Sequence, residues 1–492
     1  MSPPTLSVLD YAVVAAYLLG IVAFGSWFAK FQKTTRDYFL TGRTVPWWAI
    51  CFTIVATETS TLSFIGVPAS AFTGNMTFLQ LALGYIIGRV VVSVLFIPAY
   101  FRGDLFTSYE LLQRRFGAPV KTAAAGIFLV TRSLADGIRL FATALVIAVV
   151  TGVPVGWTIV GLGVAMIVYT VRGGVSAVIW TDVVQMFVYV GGALVVFWAL
   201  LVRIPGGWAE VWQVGEAAGK FRLLDFSLDP RTAYTFWAGV VGGVALTLAT
   251  HGTDQYLVQR LLSARSARDA SLGLMLSGIV VFAQFTLFLV IGVMLFTFHR
   301  HVAVPATLQR TDEILPLFVV NTLAGGTAGV IVAAIVAAAL SPSLNAMAAT
   351  TVNDFYKNYV RPDADDATLM RVSRLSTVGW GVVQLGIAIA AQWMDRSVLD
   401  AGLSVLSLTS GPVLGAFLLA VLMPGVGATA MLTGMIAGTA AVVWLWWLGD
   451  VAWTWYAFFG AATTSIVALV LAALNGAWRG SIAMNRSERP RP

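Results

Sequence analysis

The sequence predicts an all-α integral membrane protein with about thirteen transmembrane helices, and three observations carry the prediction. Hydrophobic residues fill 58% of the 492 positions and charged residues 11%, against roughly 25% charged in a soluble domain. Apolar stretches long enough to cross a bilayer, about 20 residues each as helix, recur along the whole chain. Lysine and arginine alternate between dense and sparse connecting segments, as topology signals do.

In chain order the stretches run over 9–29, 46–74, 76–101, 122–150, 155–171, 174–203, 232–258, 267–297, 323–352, 370–394, 397–421, 425–449 and 452–475, the last two separated only by a polar break near Asp450. The first follows an N-terminus, Met1 to Asp10, that has no basic n-region. It runs too long for a signal peptide and lacks a small-residue cleavage site, so it reads as a retained span. With the N-terminus outside, the inner segments hold twenty Lys and Arg residues, beginning with Lys30, Lys33, Arg36 and Arg43, and the outer segments hold seven. Cytoplasmic loops carry the excess, which places the C-terminus in the cytoplasm of a plasma (inner) membrane protein. No loop has the length of a separate soluble domain; the longest lie near 204–231 and 298–322. The basic tail from Trp478 to Pro492 reads as a disordered topology anchor.

Composition also excludes function classes. The net charge of +7 comes without a clustered basic block, so nucleic acid is not an expected partner. One cysteine, Cys51, leaves no disulfide framework and no thiolate metal site. Gly215 to Lys220 lacks the glycine spacing and the hydroxyl residue of a phosphate loop, which argues against an ATP-driven pump. His251, His299 and His301 are the only histidines; the His-x-His pair at 299 and 301 reads as exposed loop residues and makes a poor metal site, so an embedded enzyme is a weak alternative. A sensor on a transporter scaffold would need a separate signalling partner. The expected partners are membrane lipid and a small-molecule solute, with no cofactor.

Charges inside spans are informative, because each costs at least ~2.5–3.5 kcal/mol at the bilayer centre. They are Glu58, Arg89, Arg132, Asp136, Arg139, Asp182 and Asp254. Arg132, Asp136 and Arg139 share one helix face, either as a self-neutralising cluster or with one arginine open to an anionic solute. Arg89 reads as buried or as snorkelling. Asp182 has no opposite charge nearby in sequence, so a bound cation is an attractive partner; a helix-capping carboxylate is the alternative. The second span breaks its own pattern at Ala56-Thr57-Glu58-Thr59-Ser60-Thr61, followed by Gly66-Val67-Pro68. Transporters place ion and solute sites at such interruptions. A weak point at Gly239, Gly242 and Gly243 in the seventh span, five helices on, implies an inverted repeat or simple packing notches.

These segments, with Asp37 to Arg43, Gly173 to Asp182, Gly252-Thr253-Asp254-Gln255, Gln259-Arg260, Ser343 to Ala346 and Val352 to Tyr356, resemble the sodium:solute symporter family. The resemblance implies a LeuT-type core of two inverted five-helix repeats, over 46–203 and 204–421. An extra helix and loop over 1–45 would precede it, and further helices and the tail over 422–492 would follow. It implies a non-enzymatic secondary transporter importing a small organic solute by cation symport. A main sodium site would use backbone carbonyls of Ala56 and Thr59 with two adjacent hydroxyls on the ninth span. Those hydroxyl positions fall on Ala338 and Ala339, which weakens the site. A second site would use Asp182 and Ser341, whose neighbour Pro342 has no hydroxyl. Sodium remains the expected ion, with proton symport or uniport on the same fold as the alternative; Asp182, Glu58 and Asp136 are the candidate proton carriers. By position, Glu58, Ser60, Ser63 and Gln80 would line the solute site, and Arg139 or Arg132 would meet a carboxylate.

Overall fold

In lipid every backbone polar group must be paired within the chain, which leaves helices as the economical solution for apolar stretches of this length. The computed structural model describes residues 6–27, 43–102, 105, 107–306, 308–323, 325–337, 343–394, 397–423 and 425–474, without the side chains of 22, 169 and 172–174. The helices that matter most are α1 (Val8–Trp27), α2 (Trp47–Glu58), α3 (Thr61–Thr73), α4 (Leu79–Phe101), α5 (Tyr109–Phe116), α6 (Ala118–Thr151) and α7 (Val155–Arg203). After a short α8 (Gly207–Ala217) come a π-helical segment (Ala238–Gly242), α9 (Gly243–Gly252), α10 (Gln255–Leu262) and α11 (Ala267–Phe298). The remainder comprises α12 (Ile314–Thr322), α13 (Thr327–Ala337), α14 (Leu344–Thr350), a second π segment (Thr351–Val360), α15 (Asp366–Ala390), α16 (Val398–Leu422), α17 (Ala428–Leu448) and α18 (Tyr456–Leu474).

Each predicted stretch holds an apolar helix among the described residues, with two differences in kind. The fifth and sixth stretches run as one unbroken helix, α7, through Arg172-Gly173-Gly174. Glycine weakens a helix by about 1 kcal/mol but keeps its hydrogen bonds, unlike proline. The apolar helix over Ala238–Gly252 is shorter than a bilayer-length span. Large apolar side chains such as Trp157, Ile436 and Trp447 stand exposed on the outside of the bundle, the surface a lipid solvent requires.

The glycines of the seventh stretch act as notches. A Cβ at Gly239 would lie 2.7 Å from the backbone of Gln80, and one at Gly243 would lie 2.8 Å from the carbonyl of Leu81. Their absence lets the π segment and α9 pack directly on α4.

A side chain of the first helix bonds the start of α13. Asp10 accepts hydrogen bonds from the backbone N–H groups of Gly326 at 2.7 Å and Gly329 at 2.6 Å, and so caps α13 from outside it. Asp10→Ala leaves two N–H groups without that acceptor, at a cost of about 1–3 kcal/mol each where buried. A melting temperature several degrees lower in detergent is expected, with Asp10→Asn, which keeps a carbonyl acceptor, intermediate. Equal melting of all three proteins would show that the cap is dispensable.

Candidate functional site

The centre of the bundle is organised by the break between α2 and α3, which bend by 63°. The N–H of Thr59 still reaches the carbonyl of Val55 at 2.9 Å, after which Thr59 and Ser60 are extended. The carbonyls that follow Val55 are therefore at a helix C-terminus, where intrahelical partners run out and the helix dipole is negative. This is a suitable environment for a cation, and it includes Ala56 and Thr59. The break is held from three sides. Gln284 of α11 donates to the Thr59 hydroxyl at 2.8 Å, Thr61 donates to the Ile335 carbonyl of α13 at 3.1 Å, and Thr143 of α6 donates to Thr61 at 2.9 Å. The end of α13 thus lies beside the break. The expected ligand positions Ala338, Ala339 and Ser341 lie outside the described residues.

Asp182 sits on α7 with no solvent exposure. The sequence offers it no neighbouring cation, but folding does. Arg260 of α10 donates from Nη2 at 3.0 Å, and Thr53 of α2 donates at 2.6 Å with Thr57 at 3.3 Å. All of these contacts converge on Oδ2, and Oδ1 has no hydrogen-bond partner among the described residues. Asp182 therefore already has a permanent counter-charge and keeps one oxygen for a further ligand.

Glu58 ends α2 and pairs with Arg89 of α4. Arg89 is fully buried, so the snorkelling alternative does not apply: its position midway along α4 gives it no route to the interface. The Nε2 of His251, on α9, lies 3.6 Å from Glu58 and 3.4 Å from Arg89. Only 3% of His251 is exposed. It lies inside the predicted span 232–258, and the rule that flags a titratable group in an apolar stretch applies to it as to Asp254. His299 and His301 do lie in the connecting segment.

The Arg132–Asp136–Arg139 cluster pairs along its helix at 3.7–3.9 Å, and its shortest bond runs across the bundle. Arg132 donates through Nε at 2.9 Å, and again through Nη2, to Asp254 across the bundle, and its guanidinium lies over the Tyr256 ring. Asp136 accepts from Ser343 and stands 3.9 Å from Arg132 and 3.7 Å from Arg139. The Nε of Arg139 has no acceptor among the described residues.

A central cavity of about 70 Å³ joins these groups, with Thr57, Glu58, Tyr85, Arg132, Arg139 and His251 among its lining. At about 30 Å³ per water, it holds two or so waters, and a solute needs the helices to part. Of the predicted lining residues, Glu58 and Arg139 meet here; Ser60, Ser63 and Gln80 do not line it. The Gln80 amide donates to the Tyr234 carbonyl and accepts from the Asp225 N–H, both at 2.9 Å. It fixes the connecting segment before the seventh stretch. A wider cavity of about 640 Å³, lined by Gly66, Thr73, Asp225, Tyr234, Asp312 and Asp400 among others, shares no residue with the central one.

A family model described as the sodium:solute symporter family matches residues 38–438. The human sodium/iodide cotransporter is 31% identical over 456 residues, covering 90% of this chain and 70% of its own length. The human sodium-coupled monocarboxylate transporter 1 is 30% identical over 453 residues, covering 90% and 73%. The structure of a Na+-coupled sialic acid symporter, substrate-bound and outward-open, superposes with a TM-score of 0.88 at 28% identity, covering 95% of this chain and 98% of its own.

Proposed function

The chain belongs to the sodium:solute symporter family, and from that premise we propose that it imports a small organic anion with sodium across the plasma membrane, N-terminus outside. The observation that carries the anion is Arg139. It faces the central cavity, its one carboxylate neighbour stands at 3.7 Å, and its Nε has no acceptor among the described residues. A guanidinium with donors to spare suits a carboxylate. The named relatives carry iodide, a monocarboxylate and sialic acid, all anions at neutral pH.

Sodium would lie at the break on the Ala56 and Thr59 carbonyls, with the free oxygen of Asp182 and Ser341 as a second locus. Ala338 and Ala339 remove two side-chain oxygens from the first, so half-saturation by sodium is expected at high concentration.

The test is uptake into proteoliposomes of lactate, sialic acid and iodide, beside glucose and proline, under an imposed sodium gradient. Accumulation of an anion is expected. Arg139→Ala should raise its KM at least about thirtyfold, which corresponds to the lower end, ~2 kcal/mol, of removing one partner from a buried charged contact. Arg139→Lys should fall between. Accumulation of glucose or proline alone, with Arg139→Ala neutral, would refute the anion reading.

A further inference from the structure

The side of the bundle where lysine and arginine concentrate carries a further cavity, which shares no residue with the central one. It has a volume of about 410 Å³ and lies between α5, the start of α6 and the second π segment. One ammonium builds its floor. Lys121, only 2% exposed, donates to the Gln113 side-chain oxygen at 2.9 Å and to the Asn353 carbonyl at 3.4 Å. It also stands 3.0 Å from Asp354, to which Thr107 donates at 2.9 Å. The three wall elements are thereby tied together, and Asp354 answers the Lys121 charge.

The rest of the lining is left with donors and positive charge. An ammonium only donates, so the end of Gln113 that meets Lys121 is its oxygen, and the NH2 is left without an acceptor among the described residues. Arg114 and Lys357 pair with no carboxylate among the described residues, and the lining holds one carboxylate, Glu110. Topology alone asks for basic residues on this side, but not for a walled cavity on which they converge from separate elements. The depth of the cavity is marked by Tyr359 and Val360, which follow the lining residue Asn358 and are 59% and 67% exposed. The Tyr359 hydroxyl bonds Thr122 at 2.6 Å, where the fourth apolar stretch begins. An exposed ring with a hydrogen-bonded hydroxyl at the start of an apolar stretch sits at the boundary between hydrocarbon and headgroups. Lipid phosphates lie at that level.

We propose that this cavity binds the phosphate headgroup of an anionic phospholipid of the inner leaflet, with Arg114, Lys357 and Gln113 as donors and the acyl chains passing Tyr359 and Val360. Guanidinium and ammonium groups suit phosphate oxygens, and basic pockets between membrane helices on the cytoplasmic side hold such headgroups. Free phosphate offers the same oxygens but nothing for the exposed Tyr359 and Val360 to meet, which favours the lipid. A lipid seated here joins α5 and α6, from the first half of the chain, to the π segment that follows the ninth stretch.

The test needs neither solute nor ion gradient, so it stands apart from the anion reading. Purified protein is placed in vesicles of phosphatidylcholine alone, or of equal parts phosphatidylcholine and phosphatidylglycerol, and its thermal unfolding is followed. Wild type should melt several degrees higher with phosphatidylglycerol, because a ligand of the folded state adds to its stability. Arg114→Gln with Lys357→Gln should lose most of that rise, and each single substitution part of it. In native mass spectrometry the paired variant should bind phosphatidylglycerol about twenty-five-fold more weakly, about fivefold for each basic side chain. It should melt with wild type in phosphatidylcholine alone, since neither residue is ion-paired there. Arg371→Gln with Arg374→Gln, two exposed positions on α15, removes the same charge outside the cavity and should keep the rise. No rise in wild type, or a rise kept by the cavity variant, overturns the proposal. A rise lost equally by both paired variants also overturns it, by showing diffuse attraction to a basic face. So does an equal rise from inorganic phosphate added to phosphatidylcholine vesicles, since the ligand is then the free anion.

Discussion

Asp182→Ala is expected to yield little folded protein, with a melting temperature far below wild type. The substitution leaves the Arg260 guanidinium, whose side chain is 3% exposed, without its carboxylate in the middle of the bundle. Removing one partner of a buried ion pair costs about 3–5 kcal/mol, a large share of the ~5–15 kcal/mol that holds a protein folded. The damage spreads because Thr53 and Thr57 also bond Asp182, so the first half of the broken span loses these hydrogen bonds to α7 and keeps the aromatic contacts Trp48–Trp180 and Phe52–Phe187. Asp182→Asn combined with Arg260→Gln removes both charges together and keeps hydrogen-bonding groups at both positions. That protein should recover most of the lost stability. Thermal unfolding monitored by size-exclusion chromatography checks both variants; an Asp182→Ala protein as stable as wild type would show that the pair is not structural. The paired variant then allows a functional test. If Asp182 also lends its free oxygen to sodium, half-saturation of uptake by sodium should weaken about tenfold or more. An unchanged value would leave Asp182 a purely structural carboxylate.

Glu58→Ala should be nearly as damaging, and for a more local reason. Arg89 is fully buried, and its Nε and Nη1 have no hydrogen-bond partner among the described residues. Its charge depends on Glu58, with the Tyr85 ring and His251 beside it. An unpaired cation at this depth cannot snorkel from the middle of α4, and the cost again falls near 3–5 kcal/mol. Glu58→Gln keeps the size and one acceptor oxygen but not the charge, so an intermediate melting temperature is expected. Glu58→Gln with Arg89→Met should fold, because no charge is stranded. It should transport poorly, since the cavity lining loses the Glu58 carboxylate. If Glu58→Ala melts with wild type, the pair carries no stability, and the assignment of Arg89 to a dry interior fails.

Much of the architecture was legible along the chain because a bilayer imposes a strict local rule. A helix that meets lipid must be apolar over its whole length, so the stretches stand out one by one, and the break at Thr59-Ser60 stands out against them. The family motifs were legible for a related reason: they are short, contiguous and unusual in apolar surroundings. The central charges were visible as residues, but their partners were not. Arg260 is 78 residues from Asp182, Arg132 is 122 from Asp254 and Arg89 is 162 from His251. The cluster on α6 looked self-sufficient at i, i+4 and i+7, yet its strongest bond runs across the bundle. Gln80 looked like a solute ligand from its position next to the break, and packing turned its amide toward a loop.

From order and composition alone come the membrane solvent, the helical stretches, the interrupted span and the family to which they belong. Lipid cannot hydrogen-bond a backbone or solvate a charge, so these features have to be written into consecutive residues. Three-dimensional packing alone sets which charge meets which, that His251 faces Glu58 and Arg89, and which of the polar residues near the break open onto a cavity. Those pairings form between helices far apart in the chain, where electrostatic attraction acts through distance in space and leaves no trace in spacing along the sequence.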